Sequence, residues 1–139
     1  MRKLWIVAVL AAGVTAVLVS PASAAAKSHS LTGTITLQGQ AALSTPDGVC
    51  TGDGDIHQGA SVTIRNGSGR IVKVAPLGPG RDSRPSGDPY SGCVFAFNVK
   101  VPDTRFYVIK TPRGDEVTYS KSQLSRSKWQ VTLALGTRD

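Results

Sequence analysis

Asp53, Asp55 and His57 stand at alternate positions in Cys50-Thr-Gly-Asp-Gly-Asp-Ile-His-Gln-Gly59. They are the nearest thing in the chain to a metal-ligand set. Alternating carboxylates open a calcium loop of the EF-hand type, which also needs a carboxylate at its twelfth position. Counted from Asp53, that position is Ile64, within a predicted strand. As zinc ligands the three residues fall short of a complete four-coordinate set. The plainer reading is a glycine-rich turn whose Asp side chains accept hydrogen bonds from nearby amides. Neither a metal nor a cofactor is expected.

Nucleophilic catalysis needs a nucleophile, a base and an orienting group. His29 and His57 are the two histidines, and His29 falls in a small, polar stretch that reads as a frayed start. Gly67-Ser68-Gly69 belongs to a turn rather than to a G-x-S-x-G elbow. The nine carboxylates show no pairing that points to a glycosidase. The expectation is therefore a protein without catalysis. The best recognition candidate is the segment 76–92, which holds Arg81, Arg84 and Tyr90 together with four prolines and four glycines. Arg and Tyr are over-represented among binding hot spots. A second basic group, Lys121, Arg126 and Lys128 beside Trp129, suits an anionic polymer or a solvated strand edge. Asn66-Gly67-Ser68 is formally a glycosylation sequon, but a turn accounts for it equally well.

Two further features set the compartment. Residues 1–24 read as a signal peptide: Arg2 and Lys3, an apolar run over 4–19, then Ala22-Ser23-Ala24 as a small-residue cleavage pattern. The apolar run is shorter than the roughly 20 residues that span a bilayer, so no membrane insertion is expected after cleavage. Export would place Cys50 and Cys93, the two cysteines, where one disulfide can close. The chain carries 16 Lys and Arg against 9 Asp and Glu, a formal charge of +7, which falls to +5 without Arg2 and Lys3. Its basic residues are dispersed, with no tract and no aromatic stripe, so a nucleic-acid partner is not expected.

The elements that must position these residues are strands. Residues 31–38 alternate Leu31, Gly33, Ile35 and Leu37 with polar residues, and 93–101 alternate Cys93, Phe95, Phe97, Val99 and Val101 with a second set. Residues 60–65 and 70–75 flank Asn66-Gly67, a type I′ hairpin signal. Further strands are predicted over 105–110, 115–119 and 128–135, and 39–59 and 76–92 are read as loops. Ser120 is placed to cap one helical turn through Leu124. About seven strands with almost no helix predict an all-β protein, an antiparallel β-sandwich with Greek-key connections, prealbumin-like or Ig-like, over residues 25–139. A small barrel is the competing architecture.

The segments Cys50-x-Gly52-x-Gly54-Asp55-Ile56-x-x-Gly59, Gly92-Cys93-Val94-Phe95-x-Phe97-x-Val99-x-Val101-Pro102, Phe106-Tyr107-Val108 and Tyr119-Ser120-x-x-x-Leu124 together form a pattern. It resembles a group of small exported proteins and extracytoplasmic domains of actinobacteria that has no assigned activity. The likeness covers most of 45–136 and is most specific around the two cysteines. It implies secretion, the disulfide and the sandwich, and adds no catalytic residue. The resulting expectation is a secreted binding or structural module of the cell envelope, whose partner is an envelope polymer or another extracellular protein. The alternative is a secreted hydrolase or protease inhibitor that uses 76–92.

Overall fold

The computed structural model describes residues 27–38, 47–83 and 92–136. The signal-peptide reading of 1–24 lies outside them, as do Arg84 and Tyr90. The described residues form nine strands and one short helix: β1 (Ser28–Gln38), β2 (Val49–Cys50), β3 (Ser61–Asn66), β4 (Ile71–Pro76), β5 (Gly80–Asp82), β6 (Gly92–Pro102), β7 (Phe106–Lys110), β8 (Glu116–Ser120), α1 (Lys121–Arg126) and β9 (Gln130–Leu135). They build two sheets, ordered β2-β5-β6-β1-β9 and β4-β3-β7-β8.

The alternation seen in the sequence has a direct structural cause. Leu31, Ile35 and Leu37 of β1 and Cys93, Phe95, Phe97 and Val101 of β6 are buried, while their odd-man neighbours face away. The second sheet adds Val62 and Ile64 from β3 and Tyr107 and Ile109 from β7, and all of these side chains belong to one apolar cluster. Gly33 lies opposite Phe97 in the β1–β6 ladder. The Phe97 ring occupies the space a Cβ at Gly33 would need. A bare backbone at residue 33 is thus a packing requirement.

Four expectations need correction. The sheets are not wholly antiparallel: β1 pairs with β6 antiparallel but with β9 parallel, Gly33 facing Val131 and Leu37 facing Leu135. Helix α1 and the turn after it return the chain beside β1 in the same direction, which a hairpin would not do. The strand count is nine, because β2 and β5 form in segments read as loops. Gly80–Asp82 has no alternation to display; Arg81 and Asp82 pair with Val94 and Cys93 of β6, and Gly80 and Arg81 with Cys50 and Val49 of β2. The start is not frayed at 28–30: Ser28, His29 and Ser30 are in β1, opposite Pro102, Val101 and Lys100.

The fourth correction concerns the β3–β4 turn. A type I′ turn requires positive φ at both central residues. Here neither Asn66 nor Gly67 has it, and Gly69 does, at 82°. The loop is a three-residue one, closed by the Gly69 amide donating to the Asn66 carbonyl and by the Asn66 amide donating to the Arg70 carbonyl. The Asn66 side chain accepts from the Ser68 and Arg70 amides and from the Ser68 hydroxyl. Further along, a β-bulge leaves Val72 of β4 unpaired, since Ile64 faces Lys73 and Arg65 faces Ile71.

The two cysteines are joined, Cα to Cα 6.1 Å apart, tying the two-residue β2 to β6. Both are buried. The capped helix is present too: Ser120 Oγ accepts from the Gln123 amide and Gln123 Oε1 accepts from the Ser120 amide, a capping box.

Candidate functional site

The Asp53, Asp55 and His57 cluster closes on itself. Asp53 Oδ1 accepts from the amides of Asp55 (2.9 Å) and Ile56 (2.6 Å), which shapes the turn before β3. Its other oxygen accepts from Arg113 Nη2 at 2.5 Å, and Arg113 Nη1 donates to the Gly136 carbonyl at 2.6 Å. The Arg113 side chain is only 6% exposed. Partial burial pushes the Asp53 carboxyl up, but the amides of Ile56 and Asp55 and the Arg113 guanidinium outweigh it, so the group titrates below its ordinary 3.8. His57 is exposed and its Nδ1 donates to the Gln58 carbonyl. The carboxylate that would open a metal loop is a structural tie between the 50–60 turn, the β7–β8 turn and the end of β9. Among the described residues no three His, Cys, Asp or Glu side chains converge as metal ligands.

Of the recognition candidates in 76–92, Arg81 is exposed on β5. The first half of that segment is pinned down. Leu77 is buried, its amide donates to the Ala60 carbonyl, and the Gly78 amide donates to the Ala96 carbonyl.

A different constellation forms where the end of β6, the start of β1 and α1 meet. Asp103 accepts from Lys121 Nζ on both oxygens, at 2.7 and 2.9 Å, and from His29 Nε2 at 2.8 Å. Hydrogen bonds from Lys121 and then His29 hold its carboxyl below 3.8. The His29 ring stacks on Trp129, centroids 3.9 Å apart and planes within 7°. Trp129 in turn meets the buried Tyr107 edge-on at 5.6 Å. The Tyr107 hydroxyl donates to the Pro102 carbonyl and accepts from the Thr104 amide, fixing the bend that carries Asp103.

The backbone is strained at this end. Lys128 and Trp129 have φ of 55° and 60°, a left-handed conformation that side chains rarely adopt. Such residues persist where surrounding contacts over-determine them, and they cluster at functional sites. Here the Trp129 amide donates to the Leu124 carbonyl, and its carbonyl accepts from the Thr32 amide. The strained pair converts the helix exit into a strand parallel to β1 and lays the indole under His29.

Beside this network lies a cavity of about 410 Å³, open to solvent and lined by Arg105, Phe106, Ser120, Lys121, Ser122 and Ser125. Phe106 is 48% exposed. It lies opposite Ser120 in the β7–β8 ladder, and the Lys121 amide donates to the Arg105 carbonyl, so strand and helix are locked side by side. Among the described residues the Arg105 guanidinium enters no ion pair. Lys121 and Trp129 stood out in the sequence as a basic group beside an aromatic, His29 only as a histidine in a stretch read as frayed, and Phe106 only within a strand motif. Asp103 and Arg105 had no signal, because their partners are brought in by strand pairing and by the helix.

Comparison with protein-family models, with curated proteins and with solved structures finds no match to this chain.

Proposed function

We propose that this protein is an exported, non-catalytic binding module of the cell envelope that holds an anionic envelope polymer on the surface made by Arg105, Phe106 and α1. The observation that carries the reading is the open 410 Å³ cavity in which an exposed aromatic ring, an arginine outside any ion pair among the described residues and three serines meet. Pockets that hold ligands join an apolar wall to a few placed polar groups in this way. Lys121 lines the same cavity, its ammonium held by Asp103. The Cys50–Cys93 disulfide suits an extracellular or otherwise oxidising location, and the likeness to small exported actinobacterial proteins points the same way. We read the two sheets as a sandwich with Greek-key connections; the Tyr107 hydroxyl tied back to Pro102 resembles the tyrosine corner of Ig-type sandwiches.

The test is titration with polygalacturonate and with polyphosphate at low and high salt, on the wild type and on Arg105→Gln, Lys121→Gln and Arg81→Gln. Binding that weakens with salt and is lost in Arg105→Gln but kept in Arg81→Gln supports the reading. Binding lost only in Arg81→Gln moves the site to the 76–92 segment. Inhibition of a secreted protease, or hydrolysis of a glycan, would replace the reading with its alternative.

A further inference from the structure

We propose that the cavity recognises an acidic sugar: a pyranose ring carrying a carboxylate, presented as part of an acidic glycan. This rests on the binding reading above and names its ligand class. Three observations select it.

The first is charge. The cavity lining holds two cations, Arg105 and Lys121, and the Lys121 ammonium is taken by both oxygens of Asp103. One net positive charge remains, on a guanidinium whose fork matches a single carboxylate. A polyphosphate would call for several convergent cations.

The second is Phe106, an aromatic residue that lines the cavity and is 48% exposed. Its ring gives a phosphate chain nothing to bind. The C–H face of a pyranose is apolar and flat enough to lie against it.

The third is the hydroxyl rim. Ser122 and Ser125 are three residues apart on α1 and so share a face. Each hydroxyl both donates and accepts, as a sugar hydroxyl does. The amides at the start of α1 carry no part of this assignment; those of Ser120 and Gln123 are held by the capping box and that of Lys121 by the Arg105 carbonyl. In the assigned pose Arg105 takes the carboxylate, Phe106 the ring face, and Ser122 and Ser125 the ring hydroxyls.

The experiment is an amide chemical-shift titration of the full chain in its oxidised form. The ligands are trigalacturonate, a neutral glucose trisaccharide and inorganic tripolyphosphate. The expected result is a trigalacturonate response centred on Arg105, Phe106, Ser122 and Ser125, with the neutral sugar at least about tenfold weaker, as for loss of one charge-assisted pair. Arg105→Gln should erase that difference. Phe106→Leu, which keeps an apolar side chain at a half-exposed site, should weaken both sugars and leave tripolyphosphate unchanged. Equal binding of the neutral sugar overturns the acid assignment. Tripolyphosphate binding as tightly as trigalacturonate, at the same amides and indifferent to Phe106→Leu, overturns the sugar and leaves a general anion site. Silence from all three ligands and from the polymers removes the binding reading as well.

Discussion

Asp53 and Asp103 look alike in the sequence, each an acidic residue in a turn, yet they do different work. Asp53 is a partly buried anchor for Arg113, and Asp103 is an exposed bridge between His29 and Lys121. Both titrate below 3.8 in the folded protein. A carboxyl held more acidic when folded stabilises the fold above its unfolded value, and that contribution disappears as pH falls through the folded value. Stability should therefore be flat above about pH 5 and decline from near 3.8 downward. Asp53→Asn should lower stability at pH 7 by about 1–3 kcal/mol, because it removes the charge-assisted bond between Asp53 and the almost buried Arg113 guanidinium. It should also flatten the acid limb. Urea unfolding of wild type and variant from pH 2 to 7 measures both, and parallel curves across that range would contradict the assignment. Asp103→Asn should flatten the same limb with a smaller change at pH 7, since the pair it breaks is solvated.

At the scale of elements, the short helix decides more than its six residues suggest. It turns the chain so that β9 runs parallel to β1, and it forms one wall of the cavity. Ser120→Ala removes the hydroxyl that accepts from Gln123 and should cost about 1 kcal/mol. It should also reduce ligand affinity if α1 frays, whereas Ser120→Asp, another good cap, should restore stability. The β1–β6 ladder makes an opposite demand at Gly33. Alanine there forces the Phe97 ring out of a well-packed cluster and should cost about 1–3 kcal/mol. Thermal unfolding separates these effects from wild type. Strands whose residues alternate were legible in the sequence, as 31–38 and 93–101 show, and so was the serine cap. The parallel β1–β9 pairing was not, because it depends on left-handed Lys128 and Trp129, residues whose types favour no such conformation. Strand β5 was hidden for a related reason: Gly-Arg-Asp is a strand only because β6 and β2 flank it.

For the whole molecule, the pairing of Cys50 with Cys93 was readable from cysteine count and expected export, while the cavity was not, since its lining comes from two segments brought together by β7–β8 pairing. The disulfide matters because of what it holds. Strand β2 has two residues, paired to β5 through Val49 to Arg81 and Cys50 to Gly80, so its backbone pairing alone is weak. The 43-residue separation restricts the unfolded chain by an amount worth about 4 kcal/mol in the loop-entropy description. That is a large share of the roughly 5–15 kcal/mol by which small domains are stable. Reduction under native buffer should therefore lower the urea midpoint sharply and raise the m-value, because the released unfolded chain exposes more surface. The cavity is built from β7, β8 and α1, on the other sheet from β2. Reduced protein held below its new midpoint should still bind trigalacturonate with unchanged affinity. A loss below about 1 kcal/mol would mean that β2 and β5 hold without the bridge, against the weight the loop-entropy description gives it. A loss of binding in protein still folded would mean that the clamp shapes the ligand surface as well as the chain.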